Sequence, residues 1–254
     1  MIDTHCHLYT EELMQDIDAV LCRAAAAGVS RFYLPAIDCS TTEKMLELET
    51  RYPGKCFAMA GLHPCSVNAD YLTELSHIES LLQQRTFAGI GETGLDFYWD
   101  TTYKAEQYLA LEKQIELALL YKLPLILHTR NAMQETIDVV KKYRGTGLKG
   151  IFHCFGGTRE EADQIIDCGF LLGIGGVVTY KKSQLPSVLA GIGMEHIVLE
   201  TDAPYLAPVP YRGKRNESSY ITEVAKKLAA IKNIPLEEVD RITTQNAELV
   251  FKVK

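Results

Sequence analysis

The sequence predicts an α/β fold, a (β/α)8 TIM barrel that forms a single domain over residues 1–254. Three observations predict it. Short runs rich in Ile, Val, Phe and Leu alternate with longer segments of helical periodicity, which is typical of a parallel sheet with helical crossovers. These apolar runs number about eight, and a barrel of roughly 250 residues is a common single unit. A doubly wound open sheet is the alternative.

The individual elements follow in chain order. Strands are expected at the apolar runs 2–4, 31–36, 56–61, 88–91, 125–127, 150–152, 170–174 and 197–201. Helices are expected where apolar residues recur with helical period, near 11–27, 41–51, 71–84, 104–121, 131–143, 158–168 and 217–231, with a shorter pattern at 184–190. A last helix at 235–251 begins with Pro235 and two acids, which suit a first turn. We expect it to pack on the outside of the fold.

Composition and charge exclude several classes of protein. With 47% hydrophobic and 23% charged residues, the chain has too much apolar surface to be disordered. The longest apolar runs, such as 170–178, fall far short of the ~18 residues of a membrane span. The amino terminus does not resemble a secretory signal, so a cytoplasmic protein is expected. A net charge of −7 argues against a basic coat that binds nucleic acid nonspecifically, although a local basic cluster can still hold phosphate.

Ionisable side chains follow the predicted strands at their carboxyl ends, where a parallel barrel carries its active site. These residues are His5, His7, Glu92, His128, His153, Glu200 and Asp202. Alternation along a strand puts His5 and His7 on one side, and Glu200 and Asp202 likewise. Any one of them alone could be a structural polar residue. Their joint position on one rim favours a shared site.

The residue types indicate a metal site. Four histidines with Glu92 and Asp202 form a nitrogen and oxygen ligand set that suits zinc, manganese or magnesium, and it is large enough for two ions that share a carboxylate. Two ions can activate a water molecule and polarise a phosphoryl or carbonyl oxygen, which is the chemistry of hydrolysis. A noncatalytic binding or scaffold protein is disfavoured, because gathered ionisable groups without a metal would repel or shift their pKa values at a cost.

Seven ordered motifs sharpen this interpretation. They are Asp3-Thr4-His5-Cys6-His7, Gly61-Leu62-His63-Pro64, Gly91-Glu92-Thr93-Gly94-Leu95-Asp96, His128-Thr129-Arg130, His153-Cys154-Phe155-Gly156-Gly157, Glu200-Thr201-Asp202-Ala203-Pro204-Tyr205-Leu206 and Arg212-Gly213-Lys214-Arg215-Asn216-Glu217. In these motifs, and along essentially its whole length, the chain resembles the TatD-related deoxyribonuclease family of amidohydrolase-like barrels. The resemblance implies a (β/α)8 barrel, in agreement with the strand count.

The resemblance also implies roles for the rim residues. His5, His7 and Asp202 would hold one divalent ion, His128 and His153 the other, and Glu92 would bridge the two; the ions could be Mg2+, Mn2+ or Zn2+. The implied activity is metal-dependent hydrolysis of DNA ends, with single strands trimmed from the 3′ end. Asp202 is the preferred general base, and Glu92 could share that task. Glu200 could orient water or a histidine, or could be a buried carboxylate paired inside the barrel.

Substrate contacts are expected from residues in the rim loops. His63 could contact a phosphate or a metal-bound water, or make a structural hydrogen bond, and Arg130 and Arg212 could bind phosphate oxygens. Lys214 and Arg215 fit a solvated loop better. Aromatic residues of the rim could stack on bases or pack beneath the loops; they are Tyr98, Trp99, Tyr205 and Tyr211.

Three positions depart from the family pattern: Cys65 stands where a second histidine is frequent, Ser218 where proline is frequent, and Gly156 where serine is commoner. None of them removes an expected metal ligand.

The leading functional hypothesis is therefore a deoxyribonuclease, a 3′–5′ exonuclease on single-stranded DNA, with no membrane association and no obligate protein partner. A small-molecule amidohydrolase, lactonase or phosphoesterase on the same barrel is the alternative. The wider amidohydrolase group often bridges its metals with a carboxylated lysine, whereas Glu92 fills that position here. This feature favours the nuclease branch.

Overall fold

The computed structural model describes residues 1–252, which alternate between strands and helices. The eight strands are β1 (Ile2–Asp3), β2 (Arg31–Pro35), β3 (Cys56–Met59), β4 (Ile90–Asp96), β5 (Leu125–Arg130), β6 (Gly150–Phe152), β7 (Phe170–Ile174) and β8 (Ile197–Leu199). The helices are α1 (Glu11–Met14), α2 (Ile17–Ala26), α3 (Cys39–Arg51), α4 (Tyr71–Gln84), α5 (Lys104–Tyr121), α6 (Met133–Lys141), α7 (Arg159–Asp167), α8 (Leu185–Ala190), α9 (Ile221–Lys232) and α10 (Leu236–Phe251). Among these residues, none of the helices combines the length and apolar character needed to cross a membrane.

The strands lie in sequence order and are parallel throughout. β1 to β3 form one set and β4 to β8 another, and a parallel bridge between Ala60 and Ile90 joins the two sets. The two sets also meet between β8 and β1, where the Thr4 backbone N–H donates to the Leu199 carbonyl at 3.1 Å. Because the sets are hydrogen-bonded to each other at both of these seams, the predicted (β/α)8 barrel is confirmed and the open-sheet alternative does not apply.

Side chains alternate between the barrel interior and the helical layer. Interior positions near the amino ends of the strands form a small apolar cluster of Ile2, Tyr33, Met59, Ile126, Ile151 and Val198. Their outward-facing neighbours, such as Leu34 and Leu127, pack under the helices in the larger core. The carboxyl ends of the strands are therefore left to carry polar side chains into the interior.

Helix α10 does not simply pack on the outside, as the sequence suggested. Val250 and Phe251 join the interior cluster, and the Phe251 ring stacks on Tyr33 with centroids 3.6 Å apart. The helix therefore closes the barrel at the end opposite the polar rim. Its amphipathic pattern predicts the helix, but the surface that accepts it exists only in the assembled barrel.

Other bounds also differ from the sequence prediction. The helix expected at 11–27 is two helices, because Asp16 leaves helical geometry (φ −136°, ψ 33°) and its carboxylate accepts hydrogen bonds from Arg23 and Arg215. The helix expected from 217 begins at Ile221, after a 3₁₀ turn over Ser218–Tyr220. Strands β4 and β5 extend farther than predicted, so that Glu92 and His128 lie within strands rather than after them.

Strand β4 contains the irregularity that matters most for the site. Ile90 pairs with Leu125, yet Thr93 pairs with Leu127, so three residues on β4 span the distance of two on β5. Gly91 faces Ile126 inside the barrel, where an added Cβ would lie 2.6 Å from the Ile126 Cβ. A bulge of this kind re-aims side chains, and it turns Glu92 inward directly after an inward-facing residue.

Candidate metal centre

Glu92 lies at the centre of the polar rim and is buried. One of its carboxylate oxygens, Oε2, lies 3.1 Å from His5 Nε2 and 3.4 Å from His7 Nε2. The other, Oε1, lies 2.8 Å from His128 Nδ1 and 3.4 Å from His153 Nε2. Each oxygen of one carboxylate therefore faces a different pair of histidines.

Asp202 completes the group around the first pair. It follows β8, and its Oδ1 lies 3.7 Å from His5 Nε2 and 3.6 Å from His7 Nε2. Its backbone N–H donates to the His5 carbonyl at 2.9 Å, so the segments after β1 and β8 are tied together at the site. The sequence prediction that these residues share one rim agrees with the geometry.

A hydrogen-bond chain selects the nitrogen that His7 presents to the site. The Tyr9 hydroxyl donates its single proton to the Pro35 carbonyl at 2.5 Å. Tyr9 must therefore accept from His7 Nδ1, which lies 2.8 Å away. Because Nδ1 holds the proton, the lone pair of a neutral His7 lies on Nε2, the atom nearest Glu92 and Asp202.

His63 has the opposite arrangement. Its Nδ1 accepts a hydrogen bond from the Cys65 backbone N–H at 3.0 Å, so a neutral ring carries its proton on Nε2. That atom lies 3.5 Å from Glu92 Oε1. Burial lowers the pKa of His63 and favours this neutral form. His63 therefore offers the cavity a donor rather than a lone pair, and Cys65 contributes through its backbone.

Glu200 is fully buried beneath the centre. Its Oε1 lies 3.0 Å from His153 Nδ1 and accepts from the Cys154 backbone N–H at 2.5 Å. A side chain at Gly173 would collide with the Glu200 carboxylate, so the small residue on β7 makes room for it. Glu200 thus contacts His153 but does not itself line the cavity, so it can act there only through His153.

Asp96 is a site residue to which the sequence analysis gave no role. Its Oδ2 lies 3.0 Å from His128 Nε2, and its Oδ1 accepts from the backbone N–H of Tyr98 at 2.9 Å. Burial by itself would raise the pKa of Asp96, but the hydrogen bonds from His128 and Tyr98 outweigh burial and lower it. The signal was present, because Asp96 ends the third motif and the longest rim strand.

The charges of the centre are balanced between carboxylates and histidines. Burial would raise the pKa of Glu92, but His5, His153 and His63 outweigh burial and hold that pKa well below its ordinary value. For His153, burial acts to lower the pKa, yet Glu200 and Glu92 raise it to about 9. The Glu92 carboxylate thus stays ionised in a buried place that demands positive charge nearby.

These donors fit divalent ions. Ligand atoms of His5, His7 and Glu92 lie within 4.8 Å of one another, and so do those of His5, His153 and Asp202. Neutral imidazole and carboxylate suit zinc and manganese. A ligating histidine usually donates its outer nitrogen to a fixed partner, as His7 does to Tyr9.

A cavity of about 680 Å3 opens above the centre. Three of the predicted substrate residues line it, namely His63, Arg130 and Tyr205, together with Trp99. Arg212 instead lies over the Tyr180 ring, at 4.4 Å from its centroid.

Two other rim residues have structural contacts. Arg215 pairs with Asp16 at 2.6 Å, so it is not merely a solvated charge. The Tyr211 ring stacks on Tyr220 with centroids 3.8 Å apart, which covers one of its faces. Of the departures from the family pattern, Ser218 is buried at the start of its 3₁₀ turn, and an added Cβ at Gly156 would make only an ordinary contact with the Cys154 carbonyl oxygen at 3.9 Å.

The whole chain is similar to known metal-dependent hydrolases. It is 37% identical over 256 residues to the uncharacterized metal-dependent hydrolase YabD of Bacillus subtilis, covering 100% of this chain and 99% of that protein. It is 29% identical over 259 residues to a protein of Edwardsiella piscicida named 3′-5′ ssDNA/RNA exonuclease TatD, with 100% of both chains covered. The crystal structure of YjjV, a TatD homologue from Escherichia coli, superposes with a TM-score of 0.93 at 29% identity and covers 100% of this chain and 98% of that one.

The family described as TatD related DNase matches residues 2–252. The barrel, the rim of histidines and carboxylates and these similarities agree with one another, and the resemblance drawn from the motifs is confirmed. This chain belongs to the TatD-related DNase family and is a metal-dependent hydrolase acting on ester bonds.

Proposed function

We propose that this protein is a 3′–5′ exonuclease that hydrolyses phosphodiester bonds of single-stranded DNA with two bound divalent ions. The observation that carries the proposal is the arrangement of Glu92, whose two oxygens face separate histidine pairs. A shared carboxylate of this kind suits a pair of cations that flank one phosphate. The exonuclease name of the Edwardsiella piscicida relative supports the choice of substrate.

The histidines divide between the two ions according to which oxygen of Glu92 they face, and Asp202 joins the pair that it contacts. His5, His7 and Asp202 would hold one ion, His128 and His153 the other, and Glu92 would contribute an oxygen to each. When bound, Mg2+, Mn2+ or Zn2+ would supply an activated water and neutralise charge that develops on the phosphoryl oxygens.

Asp202 is the carboxylate best placed to accept the proton of the attacking water. It lines the cavity, and its side chain is 14% exposed, whereas Glu200 is fully buried. Burial would raise the pKa of Asp202, but the hydrogen bond with His7 and the charge of His153 lower it, so the carboxylate is ionised and ready to accept. Glu200 acts as a positioning residue, because it holds His153 from behind.

The phosphate and the base would be held by the cavity walls. Arg130 presents a guanidinium that can bind two phosphate oxygens. His63 offers its Nε2 proton to the same phosphate, since its other nitrogen is occupied by the Cys65 backbone. Tyr205 is half-exposed beside His7 and provides an apolar face for a base or sugar. Arg212 lies farther out and would meet only a longer strand.

The test is cleavage of a 5′-labelled single-stranded DNA oligomer by metal-stripped protein, with Mg2+, Mn2+ or Zn2+ returned separately. Laddering from the 3′ end is expected only with metal. Glu92→Gln and His128→Ala should each reduce the rate at least ~100-fold. His196→Ala is the matched control, because His196 lies in the turn before β8, at the opposite end of the barrel.

Two results would overturn the proposal in different ways. If the protein binds two ions but cleaves neither DNA nor RNA, the substrate is wrong, and small phosphate esters and lactones become the candidates. If Glu92→Gln still binds two ions and cleaves at the original rate, the assigned centre is wrong.

A further inference from the structure

An exposed pair of aromatic rings stands at the mouth of the cavity. Tyr98 and Trp99 follow β4, and they are 52% and 68% exposed. We name this pair the aromatic ledge. Trp99 lines the same cavity as Glu92 and His128. Large aromatic surface left in water beside a reaction centre commonly marks a ligand contact.

The ledge is held in a fixed position relative to the metal centre. Asp96 Oδ1 accepts hydrogen bonds from the backbone N–H groups of Tyr98 at 2.9 Å and Trp99 at 3.3 Å. Its Oδ2 is hydrogen-bonded to His128 Nε2. The two rings meet edge to face, with centroids 4.8 Å apart at 85°. One carboxylate therefore links a candidate metal ligand to the ledge.

Arg130 connects the ledge to the phosphate side of the cavity. Its guanidinium lies 3.8 Å from the Tyr98 ring centroid and 5.0 Å from that of Trp99. Stacking on Tyr98 occupies one face of the guanidinium and leaves its N–H groups, which lie in the guanidinium plane, available to a phosphate. A phosphate held by Arg130 would have its own base within reach of Trp99.

The opposite wall of the cavity is also apolar. Tyr205 is 51% exposed and Leu206 is 39% exposed, and both line the cavity. The centroid of the Tyr205 ring lies 6.0 Å from that of His7. The two histidine pairs thus lie between one aromatic surface on the His128 side and another on the His7 side.

We propose that Trp99 is the stacking platform for the unpaired nucleobase next to the scissile phosphodiester, with Arg130 holding the phosphate of that nucleotide. This inference rests on the proposed nuclease function and names the residue that recognises the substrate. Stacking on an aromatic ring tolerates any base sequence. A base inside a duplex already has both faces covered, so the ledge would favour a single strand.

Trp99 is the only tryptophan in the sequence, so its fluorescence reports directly on the ledge. The metal-loaded protein is titrated with a phosphorothioate-linked thymidine oligomer, which resists cleavage, and with an abasic oligomer of the same length and linkage. The thymidine oligomer should quench the fluorescence strongly and the abasic oligomer should not, although both carry the same charge.

A kinetic comparison tests the same contact without fluorescence. Trp99→Ala should raise KM for single-stranded DNA about 5-fold to 100-fold, with kcat and the content of bound metal unchanged. Trp99→Phe should recover most of the affinity because it restores an aromatic face. Leu120→Ala is the control, since Leu120 is 71% exposed on α5 and should have no effect.

The abasic oligomer separates the two proposals. For it, Trp99→Ala should leave KM unchanged, because the base that Trp99 contacts is missing. If the natural chain cleaves DNA but Trp99→Ala keeps its KM and both oligomers quench equally, the ledge proposal is wrong and the nuclease function stands. If the natural chain cleaves neither single-stranded DNA nor RNA, the nuclease proposal fails and the ledge proposal falls with it.

Discussion

His7 and His63 both face Glu92, yet their outer nitrogens have opposite partners. His7 Nδ1 donates to the Tyr9 hydroxyl, whereas His63 Nδ1 accepts from the Cys65 backbone. A neutral His7 therefore presents a lone pair to the centre and a neutral His63 presents a proton. Two residues of the same type thus suit different tasks, one as a metal ligand and the other as a hydrogen-bond donor to substrate.

Removing the Tyr9 hydroxyl should weaken metal binding. In Tyr9→Phe, His7 Nδ1 loses its fixed acceptor and the ring is free to change tautomer, so we expect a ~10-fold to 100-fold loss of metal affinity. Titration of metal-free protein with Zn2+ or Mn2+ measures it. Tyr33→Phe is the matched control, because within residues 1–252 the buried Tyr33 hydroxyl has no hydrogen-bond partner. Equal affinities in the two variants would contradict the tautomer argument.

His63 should affect the rate but not the metal content. Removing one preorganised donor to a reacting group typically costs ~10² to 10³ in kcat, so His63→Ala should lose about that much on single-stranded DNA while it still binds two ions. His63→Gln, which keeps an N–H donor, should recover part of the rate. A variant that binds one ion fewer would show instead that His63 is a ligand.

At the scale of elements, an ion cluster joins the loop after β8 to the first two helices. Asp16, between α1 and α2, pairs with Arg215 at 2.6 Å, and Arg23 of α2 pairs with Glu217 at 2.6 Å. The loop that follows Asp202 is thereby held against α2.

This cluster should make stability depend on pH in the acidic range. The hydrogen bond from Arg215, with a smaller one from Arg23, lowers the pKa of Asp16 to about 2 against burial, which raises it. Because this folded-state pKa lies below the ordinary value of about 3.9, Asp16 stabilises the fold above pH ~4, and the contribution is lost as pH falls towards ~2.

The measurement compares Asp16→Asn with the natural chain by urea denaturation between pH 7 and pH 3. Asp16→Asn should be less stable at pH 7, and the difference should shrink as pH falls. Glu11→Gln removes a carboxylate that is 86% exposed and pairs with Lys44, and it should change stability little. A difference from Asp16→Asn that stays constant with pH would contradict the ion-pair interpretation.

For the whole molecule, α10 closes the barrel at the end away from the rim. Phe251 and Val250 complete an interior cluster to which six strands contribute, and Phe251 is buried against Tyr33. With these residues, α10 covers the apolar interior at the end of the barrel away from the rim. This packing supports the proposal that residues 1–254 form one domain.

Shortening Phe251 should therefore destabilise the barrel without touching its chemistry. Phe251→Ala is expected to lose about 3–5 kcal/mol of unfolding free energy through lost burial and a cavity. Leu249→Ala on the same helix, where Leu249 is 65% exposed, should stay within about 0.5 kcal/mol. Urea denaturation measures both, and the folded fraction of each variant should bind metal normally. Equal losses would mean that α10 is only a peripheral helix.

The fold class, most of the rim residues and the family could be predicted from the sequence alone. Apolar runs that alternate with helical patterns predict the barrel. A parallel strand is buried on both faces, so almost all of its residues are apolar and the strand can be recognised from its own sequence. The rim residues His5, His7, His128, His153 and Asp202 could be predicted as neighbours because the carboxyl ends of parallel strands meet on one face. The motifs then identified the family.

Other features were decided only by tertiary structure. Simple alternation along β4 would turn Glu92 outward after Gly91, and it is the bulge against β5 that turns it inward. The partners of Tyr9, Asp96 and Phe251 lie on other elements, so their roles depend on contacts that no local pattern encodes. Sequence periodicity indicates which residues are buried. Hydrogen-bond partners and side-chain directions, in contrast, depend on how strands and helices that are distant in sequence pack against one another.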